Sequence, residues 1–257
     1  MKTLALSASL AALMAAPAIS ATAIGLAGDR TLVMIDLNTG QVTGMQDLDY
    51  DGRMLGIDYR NATGGLIGVT ENFEVVAIDP MTGAWDLIVE MSAGMEITEG
   101  APVIVDINPV PDALRFMSGT TNHRINLTTG EAMVDGSLHF GDDTDGMPMV
   151  AGTAYTNNVG TPDSTAMFNI DIERAALLRQ TAPNDGTNEV VGELGVMLEG
   201  PIAFDVSTDA ESMNTGWLYA NGQIHTISLE EGSITNSWDI AGLDVELRDM
   251  TVMGALD

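Results

Sequence analysis

Asp47, Asp49 and Asp51 place a carboxylate at every second position and are followed by Gly52 (Asp47-Leu-Asp-Tyr-Asp51-Gly52). That is the opening of a calcium loop, in which alternate side chains face one ion and glycine permits the sharp turn. Asp58 stands where a twelve-residue loop of this kind has its closing acidic ligand. The segment lies between two predicted strands rather than two helices, so a solvated connecting loop is the competing reading. Asp142-Asp-Thr-Asp-Gly146 repeats part of the pattern without a first and a last ligand.

A second set of carboxylates recurs along the chain. LGIDYR, IVDINP, IAFDVS and LRDMTV carry Asp58, Asp106, Asp205 and Asp249 at matching places, while GTAYTN has Ala154 there. Gathered at one axis, four carboxylates could bind a cation or raise one another's pKa for acid/base work. The alternative is structural: each side chain accepts hydrogen bonds from turn or neighbouring-strand N–H groups. A third cluster holds Asp106, Asn108, Asp112, Arg115, Asn122 and Arg124. Its arginines could pair with the carboxylates beside them, or hold an anionic ligand. His123 and His225 share one repeat position and the face of the nearby isoleucines, and read as interior histidines with satisfied nitrogens.

The elements that must position these residues are repeats. TLVMIDLNTG, EVVAIDPMTG, TNHRINLTTG, AMFNIDIERA and QIHTISLEEG each place a polar residue directly after an isoleucine (Ile35, Ile78, Ile125, Ile170, Ile227), and four of them end on glycine. A period of roughly 45–50 residues is that of a four-stranded propeller blade. Further strand patterns and turn signals fall between the repeats, and no helical period follows the first residues. The first repeat lacks the aspartate strand that opens the others, and such a strand ends the chain as Leu247–Met253. The expectation is an all-β, five-bladed β-propeller closed by the C-terminal strand, with a six-bladed ring or a β-sandwich as alternatives.

LGIDYRNATGGLIGVT, VDINPVPDALRFMSGTTNHRINLTTG, AYTNN and APNDG resemble a bacterial family of exported propeller-like domains, domain of unknown function 4394. The resemblance covers nearly the whole chain after its first residues. Its most specific stretch is Asp106–Gly130, and it departs at Ala113 and His123, where the family tends to have Arg and Leu. It implies the fold and export, and brings no assigned reaction and no catalytic residue.

Lys2, the apolar run Leu4–Met14 and the small residues after it read as an export leader over residues 1–22, with cleavage after Ser20 or Ala23 and a propeller domain over 23–257. The expected place is periplasmic or extracellular. No cysteine is available for disulfides, thiolate metal sites or thiol chemistry. The formal net charge is −28, and Lys2 is the only lysine. Such a surface repels nucleic acid and anionic lipid. Adaptation to salty water, or a preference for cations and cationic partners, accounts for it. No Ser–His–Asp order, His-Glu-x-x-His or phosphate-cradling glycine loop is present. The expected protein is a monomeric exported binding or interaction module for a small molecule, glycan or protein, stabilised by calcium at Asp47, Asp49, Asp51 and Asp58. A hydrolase acting on a glycan or lactone at the channel, and a surface or matrix structural protein, are the rival readings.

Overall fold

The computed structural model describes residues 21–92, 95–141 and 146–253. In chain order the strands are β1 (Thr22–Ala27), β2 (Thr31–Asp36), β3 (Gln41–Asp47), β4 (Met54–Arg60), β5 (Gly65–Thr70), β6 (Glu74–Ile78), β7 (Trp85–Glu90), β8 (Val103–Asn108), β9 (Ala113–Ser118), β10 (Thr121–Asn126), β11 (Ala132–Val134), β12 (His139–Phe140), β13 (Val150–Tyr155), β14 (Met167–Asp171), β15 (Ala176–Ala182), β16 (Thr187–Glu193), β17 (Ala203–Thr208), β18 (Asn214–Ala220), β19 (Gln223–Ile227), β20 (Ile234–Asp239) and β21 (Leu247–Val252). They form five sheets: β21-β1-β2-β3, β4-β5-β6-β7, β8-β9-β10-β11, β13-β14-β15-β16-β12 and β17-β18-β19-β20. The inner strands β4, β8, β13, β17 and β21 touch in a closed cycle. The fold is a five-bladed β-propeller, and the last strand completes the first blade by pairing Val252 with Ala23 and Asp249 with Leu26.

Each sheet packs face to face on the next, so apolar clusters fill all five interfaces. Val33, Ile35, Tyr219 and Met250 join blades five and one, and Phe116 and Ile125 pack with Val69 and Val75 between blades two and three. Strands near the axis are covered on both faces, such as β1, a run without a charged residue that is buried from Ala23 to Ala27. Alternation survives only outside, as in β3, where exposed and half-buried residues take turns. The first strand starts at Thr22, one residue before the expected boundary, and the Ala21 carbonyl accepts the Leu37 N–H at 2.9 Å. Residues 1–20 lie outside the described residues.

The polar residue after each repeat isoleucine caps a turn. Asp36 Oδ1 accepts the N–H groups of Asn38 and Thr39, Asn126 Oδ1 those of Thr128 and Thr129, and Asp171 Oδ1 those of Glu173 and Arg174. The turn glycine does two jobs. Gly130 has φ 72°, where a side chain is strained, and a Cβ there would overlap the Glu90 carbonyl of the preceding blade. Gly83 sits in the same way against the Asp47 carbonyl. Blade four is the exception: Ala175 holds φ 46° in place of glycine, and the blade gains the outer strand β12, parallel to β16.

Candidate functional site

Asp58, Asp106, Asp205 and Asp249 lie on the four inner strands β4, β8, β17 and β21. Each reaches the inner strand of the next blade. Asp58 Oδ2 accepts the Ile107 N–H at 2.6 Å, Asp205 Oδ2 the Val252 N–H at 2.5 Å, and Asp249 Oδ2 the Ile57 N–H at 2.7 Å. Asp106 accepts the Tyr155 N–H. The second oxygens of Asp58, Asp205 and Asp249 accept from Tyr59, Val206 and Met250. The carboxylates are therefore latches between blades. Ala154 leaves the fourth junction without one, and there Asn158 takes over: its N–H donates to Thr208 Oγ1 and its side-chain amide to the Val206 carbonyl.

The latches crowd the axis. Oxygens of Asp58, Asp106 and Asp205 lie within 4.8 Å of one another. Burial first, then Asp205, pushes Asp58 well above the usual carboxylate range; burial and the other three carboxylates do the same to Asp106. Burial raises Asp205 to about 6 against the N–H groups of Val252 and Val206. Asp249 rises to about 7 by burial, opposed by the Ile57 N–H and Arg248.

Above this layer, where the inner strands begin, a cavity of about 710 Å³ opens with walls from all five blades. Leu55, Val103, Ala151 and Arg248 stand on β4, β8, β13 and β21, Ile202 directly precedes β17, and Ile97–Pro102, in the connection between blades two and three, forms one side. Arg248 donates to the carbonyls of Gly28, Leu55 and Met54, so its guanidinium clamps blade one to blade two. Arg53, Glu99 and Glu246 are the charged groups left on the rim. None of the four aspartates lines the cavity, whose carboxylates are Glu99 and Glu246.

The structure separates Asp58 from the other three carboxylates of the calcium-loop pattern. Asp58 points inward to Ile107, while Asp47, Asp49 and Asp51 are exposed at the end of β3 and beyond it. Asp47 accepts the Thr31 hydroxyl at 2.6 Å, and Asp51 faces Arg30 at 3.4 Å. Spacing in sequence put Asp58 in the loop; β4 carries it into the core instead. Asp142, Asp143, Thr144 and Asp145 lie outside the described residues.

The blade-three cluster divides. Asp112 forms a bidentate pair with Arg60 of blade two, Nε to Oδ1 at 2.8 Å with the second contact from Nη2 to Oδ2. Asn108 Oδ1 caps Val110. Arg115 Nη1 donates to Asn122 and to Asp135, and Arg124 grips the same Asp135 with two hydrogen bonds. Sequence reasoning missed Asp135 and Tyr155, whose partners are remote in the chain. Proximity to Asp112 suggested the wrong carboxylate. His225 is satisfied by Ser237 and the Ala220 carbonyl, whereas His123, packed edge-on to Phe116, has no partner for Nδ1 among the described residues.

No curated protein matches the sequence. The solved structures that resemble the chain include two proteins of unknown function. One is a protein of unknown function from Bacteroides thetaiotaomicron VPI-5482: 13% identical, TM-score 0.52, covering 93% of this chain and 66% of that one. The other, from Bacteroides caccae and also of unknown function, is 12% identical with TM-score 0.45, covering 88% and 75%. The first likeness concerns the fold alone. The family model described as Domain of unknown function (DUF4394) matches residues 31–251, and the chain belongs to that family.

Proposed function

We propose that this protein is an exported binding module whose ligand occupies the mouth of the central channel. The cavity of about 710 Å³ with walls from all five blades carries this reading. It joins apolar walls (Leu55, Ile97, Val103, Ile202) to a few charges on the rim (Arg53, Glu99, Glu246). That lining fits a small molecule with an apolar body and polar ends. A leader ending at Ser20 suits the fold, because it leaves Thr22 and Ala23 paired with Asp36 and Ile35. The test is native mass spectrometry of the purified protein after incubation with a cell extract. A bound small molecule is expected, and Ala151→Trp, which fills the cavity floor, should exclude it. Equal capture by the variant would remove the mouth as the site.

A second reading is calcium at the axis, favoured by the oxygens of Asp58, Asp106 and Asp205 within 4.8 Å. Calcium should then raise the melting temperature beyond an equal ionic strength of sodium chloride, and Asp106→Asn should abolish that increment. An increment of zero in the unaltered protein would end this reading.

A further inference from the structure

The charges at the channel mouth are not spread evenly around the ring. Arg53 leads into β4, Glu99 stands in the connection to β8, and Glu246 directly precedes β21. The strand β4 touches β21 on one side and β8 on the other, so a carboxylate stands on each side of the arginine's blade. Blades four and five line the mouth with Ala151, Ile172, Gly200, Pro201 and Ile202, whose side chains do not ionise.

These charged side chains have binding capacity to spare. The Arg53 guanidinium faces Asp29 at 3.8 Å, beyond hydrogen-bond reach, and makes no hydrogen bond among the described residues. Arg248, by contrast, spends its donors on the carbonyls of Gly28, Leu55 and Met54. Glu99 sits on a turn closed by the Ala101 N–H on the Thr98 carbonyl at 3.1 Å. Thr98 is itself pinned to Ser118, its N–H on Oγ and its hydroxyl on the carbonyl, both at 3.0 Å. A Cβ added to Gly200 would stand 3.4 Å from Glu246 Oε1, so that carboxylate lies over the blade-five rim. Neither glutamate has a hydrogen bond or an ion pair among the described residues.

We propose that the ligand of the mouth is an apolar zwitterion, an apolar amino acid or short peptide. Its carboxylate meets Arg53, its ammonium group meets Glu246 or Glu99, and its side chains lie against Ala151, Ile172 and Ile202. This inference rests on the mouth being the binding site. A planar guanidinium matches a carboxylate's two oxygens, and an ammonium group carries only donors, which unpaired carboxylates accept. The net charge of −28 repels a simple anion. A simple cation meets Arg53 beside Arg248. Burial holds Arg248 below its ordinary value, Asp249 opposes that, and Arg53 adds to it, so the two cations are neighbours. A ligand of zero net charge, with its two ends apart, escapes both repulsions.

The test is calorimetric titration of the full chain, at constant ionic strength, with leucine and dileucine and with the N-acetyl form and the C-terminal amide of each. At least one of the free zwitterions should bind in the millimolar range or tighter, and blocking either end should weaken it about tenfold or more. Arg53→Gln should bring that zwitterion down to the level of its amide and leave the amide's own binding unchanged. Glu99→Gln combined with Glu246→Gln should bring it down to the level of its N-acetyl form. Ala151→Trp should abolish binding of every probe. No heat with either zwitterion overturns the proposal. So does a blocked form that binds as tightly as its parent, or an affinity that Arg53→Gln leaves intact. Capture of a small molecule from cell extract, and its loss in Ala151→Trp, decides the mouth independently, so the two readings fail separately.

Discussion

Thr251 has one hydroxyl proton and two carboxylate neighbours. Its Oγ1 lies 2.9 Å from Asp58 Oδ1 and 3.1 Å from Asp205 Oδ2, and it also accepts the Tyr59 N–H. It can donate to only one carboxylate, so the other contact is a hydrogen bond only when that carboxyl holds a proton. The raised pKa values agree with this. Between the usual carboxylate value and about 6 for Asp205 or about 7 for Asp249, the folded state binds more protons than the unfolded chain. Their contribution is therefore fully present at the acid end and lost as pH rises through those values. His123 and His225 act oppositely: burial lowers both, so their share is lost as pH falls. Asp106→Asn separates the two effects. It keeps an acceptor for the Tyr155 N–H and removes one buried charge beside Asp58 and Asp205. The variant should melt a few degrees higher than the parent at about pH 8, with the gap closing toward about pH 5, in melts across that range. A variant that melts lower at every pH would show that proton sharing is not what holds the cluster. At the turns, Gly130→Ala should cost about 1–3 kcal/mol in denaturant titrations, since it adds a clash with Glu90 to positive-φ strain. Gly222→Ala, with φ 77° and open space around it, isolates the strain and should cost less.

At the scale of elements, the ring is held twice. Inside, the aspartate latches tie successive inner strands. Outside, turns bind the neighbouring blade through backbone: the Asp49 N–H donates to the Gly83 carbonyl, Ser92 to Gly130, Gly136 to Asn184, and Ala241 to Gly40. The strand β21 carries Asp249 and Thr251 and pairs with β1 along its length, so it both latches the ring and completes blade one. Deleting residues 247–257 removes the clamp of Arg248, two latch partners and one edge of blade one. The truncated chain should aggregate or lose its cooperative melt, checked by calorimetry and light scattering. A melt like that of the full chain would contradict closure.

For the whole molecule, a net charge of −28 on a single ring makes self-repulsion a global term. Salt screens it over a Debye length of about 10 Å at about 0.1 M. The melting temperature should rise from low to moderate sodium chloride, with the Asp106→Asn variant responding as the parent does. A flat response would remove adaptation to salty water as the account of the acidity. Among the described residues, no helix is long and apolar enough to cross a membrane.

The sequence by itself determined the ring. Blade number, closing strand and turn chemistry follow from local rules: apolar spacing, a capping side chain after isoleucine, a glycine where φ is positive. Those rules act over a few residues and repeat, so Asp36, Asn126 and Gly130 could be read directly. Ala154 and Ala175 likewise marked blade four as the irregular one. Tertiary structure decided what the charged groups do, because a carboxylate's partner is set by distance in space. Asp58 has the spacing of a calcium ligand next to Asp51 but bonds Ile107, 49 residues away. Asp112 chose Arg60 over the arginines of its own blade, and Arg115 met Tyr155 across a blade interface.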